Sequence, residues 1–164
     1  MRRHVLPAIA AIALAAPLAA HAQAPSPKPV VFASTADVNA VIAKAKAALK
    51  PGDVMSIQRL LVLPPYSANI EYRVAAGGAA IHETEAEFFY VVDGSGVIET
   101  GGTVVDSKRS NPHNIAGSAL SGATAQKVTK GDFLVVPEGV PHRVSQVDGV
   151  LILESLHVPR GDAK

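Results

Sequence analysis

The sequence predicts an all-β chain, a single jelly-roll β-barrel preceded by one helix, and three observations carry that expectation. Beyond Pro51 the apolar runs are short and bounded by Gly, Pro, Asn, Asp or Ser, the pattern of strands joined by turns. Only residues 34–50 repeat their apolar positions at helical spacing. Many short strands with turn signals at close spacing remove their exposed edges by closing into a barrel or stacking as two sheets.

Taken in order, the chain opens with Arg2 and Arg3, an apolar run from Val5 to Ala20 and the small-residue triplet Ala20-His21-Ala22, the three-part order of a secretory signal. Cleavage is expected after Ala22; Ala22-Gln23-Ala24 fits equally by size, but Pro25 would follow that cut and obstruct the peptidase. A retained membrane anchor is the weaker reading, because Pro7 and Pro17 interrupt a run already short of the roughly 20 apolar residues a span needs. Residues 1–22 are therefore read as a signal peptide and the protein as periplasmic or secreted, with no membrane span after cleavage.

Of the 164 residues, 142 would remain, enough for one domain with its own core. They carry 13 Lys+Arg and 14 Asp+Glu, a net charge that offers nothing to nucleic acid. There is no cysteine, so disulfides and thiolate metal sites are excluded even in an oxidising compartment.

Residues 23–33, rich in Pro, Ala and Ser, read as an extended tether. In 34–50, Val38, Val41, Ile42, Ala45, Ala48 and Leu49 form an apolar stripe, Ser34 or Thr35 caps it with Asp37 behind, and Pro51-Gly52 stops it. Lys44, Lys46 and Lys50 are read as a solvated face favoured by the helix dipole. The barrel is expected over 51–160, with strands at 54–63, 69–74, 87–92, 96–100, 103–106, 126–129, 133–136, 142–147 and 150–158. Gly101-Gly102 and Asp148-Gly149 suit two-residue hairpins, so the sheet is largely antiparallel. Residues 108–125 lack periodicity and read as a long loop over one end of the barrel.

A divalent metal site needs a few N and O donors converging from rigid strands, with a position left open for water or substrate. His82, Glu87 and His142 meet that need: each sits at a strand edge, and two imidazoles with one carboxylate match the facial set that holds non-haem Fe(II). Mn, Ni and Zn are equally compatible. Glu87 directly precedes the apolar run Phe88 to Val92, where an unpaired buried carboxylate would be costly.

With these residues in view the chain resembles the cupin superfamily. That family's second motif, G-x5-P-x-G-x2-H-x3-N, is matched by Gly131, Pro137, Gly139 and His142, with Gln146 in place of the final Asn. The second half of the first motif is matched by Glu87 and Gly94, and His82 takes its second histidine position. The first falls on Ala80, which cannot bind a metal, so the family's three-His-one-Glu set is reduced to His82, Glu87 and His142. Glu83 or Glu85 could complete it if the turn is rearranged, or His113 by reaching in from the long loop, although Glu83 and Glu85 read better as a solvated turn. The resemblance spans about 54–158 and implies a small barrel with its site inside.

Alternation puts Glu87, Phe89 and Val91 on one face of a strand, His142, Val144 and Gln146 on one face of another, and Leu151, Leu153, Ser155 and His157 together on the last. Phe89 and Gln146 are thus candidate pocket residues, and His157 near the end of the last strand and His113 of the long loop are further candidates. Arg59 or Arg73 could meet a substrate carboxylate if buried, with exposure the blander account.

Two function classes follow. One is a metal-dependent enzyme acting on a small organic molecule as a dioxygenase, isomerase or lyase, classes that occur among similar small cupins. The other is a non-enzymatic binding module whose incomplete metal site is vestigial, which Ala80 favours. An uncovered sheet edge makes a homodimer plausible.

Overall fold

The computed structural model describes residues 31–161. The expected signal peptide (1–22) and residues 23–30 of the tether lie outside the described residues.

The first element is α1 (Thr35–Ala48), and its limits follow from the sequence. Ser34 accepts from the Asp37 backbone N–H while the Asp37 carboxylate accepts from the Ser34 N–H, a reciprocal cap. Ala45 is fully buried, and with Val38, Val41 and Ile42 it packs on Ile70 and Ile152 of the sheet. Ala48, expected on the stripe, is exposed, because the helix ends there and Leu49 is already extended.

Among the described residues eleven strands follow: β1 (Met55–Leu63), β2 (Tyr66–Arg73), β3 (Ala79–His82), β4 (Glu85–Thr100), β5 (Thr103–Val105), β6 (Lys108–Asn111), β7 (Asn114–Gly117), β8 (Ala119–Ser121), β9 (Thr124–Thr129), β10 (Phe133–Val136) and β11 (His142–Pro159). Every pairing is antiparallel. The architecture is the all-β jelly-roll barrel with one N-terminal helix that the strand pattern predicts.

The strands β4 and β11 form its spine. The start of β11 pairs with the end of β4 and touches β3, while its second half lies between β2 and the start of β4. Each long strand takes in two segments read as separate in the sequence. Asp148-Gly149 makes no hairpin; it sits in a bulge between Val147 and Leu151 opposite Gly94 and Gly96. A side chain at Gly94 would lie 2.0 Å from the Val150 carbonyl oxygen, and φ there is +84°, so only glycine lets the two strands bend together. Gly101-Gly102 also departs from expectation: both residues take positive φ, but β5 leaves to pair with β8 instead of returning along β4.

Residues 108–125 are likewise a correction, being β6, β7, β8 and the start of β9 rather than a loop. All of β6 is exposed and polar, so no alternation marks it; backbone pairing to β7 alone makes it a strand.

The inner core of Phe89, Val91, Ile98, Val136, Val144, Leu151 and Leu153 fills the barrel. Ile152 points the other way, to the layer under α1.

Candidate metal centre

Four side chains meet above that core. His82 is the last residue of β3, Glu87 lies on the inward face of β4, and His142 and His157 stand near the two ends of β11. Glu87 is the hub. Its Oε2 is 2.9 Å from His142 Nε2 and 3.2 Å from His82 Nε2, and its Oε1 is 3.2 Å from His157 Nε2. The ligand atoms of His82, Glu87 and His142 all lie within 4.8 Å of one another, so these three residues could hold a metal ion.

The far side of each ring is fixed. His142 Nδ1 donates to the Val140 carbonyl (3.2 Å), His157 Nδ1 to Glu85 Oε1 (2.8 Å), and His82 Nδ1 to Asn114 Oδ1 (3.0 Å). Register explains the partners. Asn114 faces His82 across β7 and β3, and Glu87 faces His157 across β4 and β11. The carbonyl of His82 also accepts from Gly139, which joins the β3 end to the Pro/Gly turn before His142.

With Nδ1–H committed to an acceptor, a neutral imidazole presents a lone pair at Nε2, and here three such lone pairs face a carboxylate that only accepts. That contact needs positive charge between the partners. Protons can supply it: burial lowers the His157 and His82 imidazoles, but the hydrogen bond and charge of Glu87 outweigh it, leaving His82 raised and His157 raised to about 9. Burial likewise pushes the Glu87 carboxyl up, and hydrogen bonds from His142, His157 and His82 more than reverse it, holding it far below the usual carboxylate range. Three imidazoliums with ring centroids 5.0 and 5.3 Å apart would repel one another. One divalent cation satisfies the same lone pairs at lower total charge, and N/O donors of this kind suit Fe, Mn, Ni or Zn. The donor set therefore fits a metal.

A cavity of about 240 Å³ opens onto the cluster, and Phe89, Ala80, Glu71, Arg73, His157 and the three nominated ligands help to line it. Phe89 is buried with its ring 6.0 Å from that of His142. Arg73 binds Glu71 Oε2 through Nε and Nη2, both at 2.7 Å, whereas Arg59 is exposed on β1.

Two candidates are placed elsewhere. Gln146 is exposed and donates to Asp148 Oδ1 (2.7 Å), because a bulge between Val144 and Gln146 reverses the alternation that would have turned it inward. His113 is exposed in the β6–β7 turn, its backbone N–H bonded to Asn111 and its carbonyl to Glu83. Its neighbour Asn114, the first residue of β7, is the one that reaches the site, carried there by the pairing of β7 with β3; it lies 32 residues from His82, and no local pattern in the sequence marks it. Of the two turn carboxylates, Glu83 pairs with Arg109 at the surface, and Glu85, read as solvated, is half-buried against His157.

No protein-family model matches the sequence, and no curated protein matches it. Solved structures do. BH2720 from Bacillus halodurans superposes with a TM-score of 0.53 at 15% identity, covering 82% of this chain and 85% of that one. For TT1209 from Thermus thermophilus the values are 0.51 and 15%, with 71% and 93% covered. For KdgF from Halomonas sp. they are 0.50 and 16%, with 70% and 86% covered. Identities this low show a shared fold.

Proposed function

We propose that this chain, whose barrel is the cupin fold, is a metal-dependent enzyme acting on a small organic molecule in the cavity beside His82, Glu87 and His142. The observation that carries the reading is the set of Nε2 lone pairs turned on one buried carboxylate, each ring locked from behind, an arrangement built to hold a cation. When bound, such an ion polarises a substrate oxygen, activates water or binds dioxygen, which is the chemistry of the dioxygenase, isomerase and lyase classes.

The chain's own residues would do the rest. Glu87 and the imidazoles hold the ion, and Asn114 and Val140 keep His82 and His142 in the tautomer that ligates. Phe89 with the core beneath it keeps one wall dry. Arg73, fixed by Glu71 in the cavity wall, gives a polar or anionic substrate group a charged partner.

The second reading, a binding module with a vestigial metal site, rests on Ala80 in the first histidine position. Elemental analysis separates the two. The purified protein, loaded with Fe, Mn, Ni or Zn and then dialysed, is expected to keep about one ion per chain, and His142→Ala to keep none. No retained ion in the wild type would end the enzyme reading. Oxygen consumption with aromatic or keto-acid compounds then distinguishes an oxygenase from an isomerase or lyase.

The proposal includes export, on the charged, apolar, small-residue order of 1–22, to be tested by cell fractionation. It also includes pairing into a homodimer, supported by β10, which pairs only with β4 among the described strands and exposes Phe133 and Val135. No helix among the described residues is long and apolar enough to cross a membrane.

A further inference from the structure

We propose that His157 is a fourth ligand of the metal, supplied by the last strand in place of the histidine that Ala80 replaces, so that three imidazoles and one carboxylate hold the ion. The inference rests on the metal-binding reading above and extends it to a residue outside both sequence motifs.

Three observations carry it. First, His157 stands in register with Glu87 on neighbouring strands, so the two side chains leave the same face of the sheet side by side. Second, the approach of its Nε2 to Glu87 Oε1, 3.2 Å, equals that of His82 Nε2 to Oε2, and its ring lies 5.0 Å from that of His82 and nearly perpendicular to it. One carboxylate is therefore addressed on both oxygens, by His82 and His142 at one and by His157 at the other. Third, His157 Nδ1 donates to Glu85 at 2.8 Å, the carboxylate-backed arrangement that fixes the tautomer of a ligating histidine and raises its basicity.

The alternative is that His157 merely donates a hydrogen bond from Nε2 to Glu87. The two roles differ in what a bound ion would meet: a ligand shares the centre with His82, Glu87 and His142, and the register with Glu87 together with the ring held from behind by Glu85 is the geometry of a ligand.

The position of Ala80 agrees. It faces His142 across β3 and β11 and lines the same cavity, where its methyl group leaves open the side that a histidine would have filled. His157 enters from β11, on the side of Glu87 that the cupin motifs leave unassigned.

Counting imidazoles tests this without reference to activity. The full chain is loaded with Cu²⁺, and pulsed EPR reads the number of coordinated imidazole nitrogens, with competition against a chelator giving affinity. The expected count is three in the wild type and two in His157→Ala, with affinity weaker by roughly 100-fold or more, since replacing even an outer partner of a ligand costs 10- to 100-fold. His157→Gln, which keeps a polar group toward Glu85, guards against misfolding and should also count two. In the double variant Ala80→His with His157→Ala the count should return to three. A wild type that binds Cu²⁺ through two imidazoles, with His157→Ala unchanged in count and affinity, would overturn the assignment and leave the three-residue site intact. A wild type that binds no Cu²⁺ would overturn both.

Discussion

The two ends of β11 each bring a histidine to Glu87, and they do so by different means. His142 reaches it across the barrel interior: its register partners are Ala80 and Thr100, not Glu87. It is backed by a main-chain carbonyl that no substitution removes. His157 reaches it along the sheet, from the next strand, and is backed by the carboxylate of Glu85, which one substitution neutralises. The first histidine depends on the Pro/Gly turn that precedes it, the second on the register of two long strands. A site assembled from both is rigid where the turn fixes it and tunable where the side chain does.

Removing what the two ends share has the largest effect. Glu87→Gln leaves three imidazoles without their buried negative partner, and it should abolish retention of a stoichiometric ion on dialysis. The stabilisation by added metal would go with it: at a thousandfold excess over Kd a bound ligand contributes about 4 kcal/mol, on the order of 10 °C in Tm for a domain of this size. Thermal melts with and without metal check this. A variant that still gains that much from metal would show that the carboxylate is not the hub.

The next prediction separates the ends. Glu85→Gln keeps a hydrogen-bond acceptor for His157 Nδ1 but removes the charge that makes its Nε2 a better donor, and should weaken metal binding about tenfold. Asn114→Leu removes the acceptor behind His82 and should cost 10- to 100-fold. Chelator competition measures both. If Glu85→Gln binds metal as tightly as the wild type, the carboxylate at this end tunes nothing and the contrast with His142 disappears.

The same contrast explains what could be read in the sequence. The β4 segment was legible in detail, because strict alternation buries Glu87, Phe89 and Val91 while Tyr90 is exposed. The turn before His142 was legible through Pro137 and Gly139, and Gly139 does take positive φ, as does Gly131 in the turn before β10. His157 was legible only as a parity, on one face with Leu151, Leu153 and Ser155; its nearness to Glu87 follows from pairing between residues far apart along the chain, which no local pattern encodes. Gln146 misled because a bulge between Val144 and Gln146, opposite Ile98 and Val97, shifts the alternation by one residue, and no turn residue on either strand marks it there. The polar edge strand β6 was hidden because backbone hydrogen bonds hold it and leave no trace in side-chain chemistry, and Asn114 because its contact with His82 follows from the pairing of β7 with β3.

The smallest effect predicted lies on the His157 end of β11 but away from the proposed metal site. Glu154 is half-buried between Ile70 of β2 and Tyr90 of β4, and burial raises its carboxyl above the usual 4.5. A raised carboxyl means that the folded state holds the proton more tightly than the unfolded one. Its contribution to stability is therefore complete below about pH 4.5 and is lost as pH climbs through the raised value. Glu154→Gln removes the penalty at neutral pH, so Tm at pH 7 should rise slightly, on the order of a degree, and the gain over wild type should vanish near pH 4. Paired melts across that range decide it. A gain that persists unchanged at pH 4 would assign the effect to packing, and a loss at pH 7 would mean that the carboxylate has a partner worth more than its burial costs.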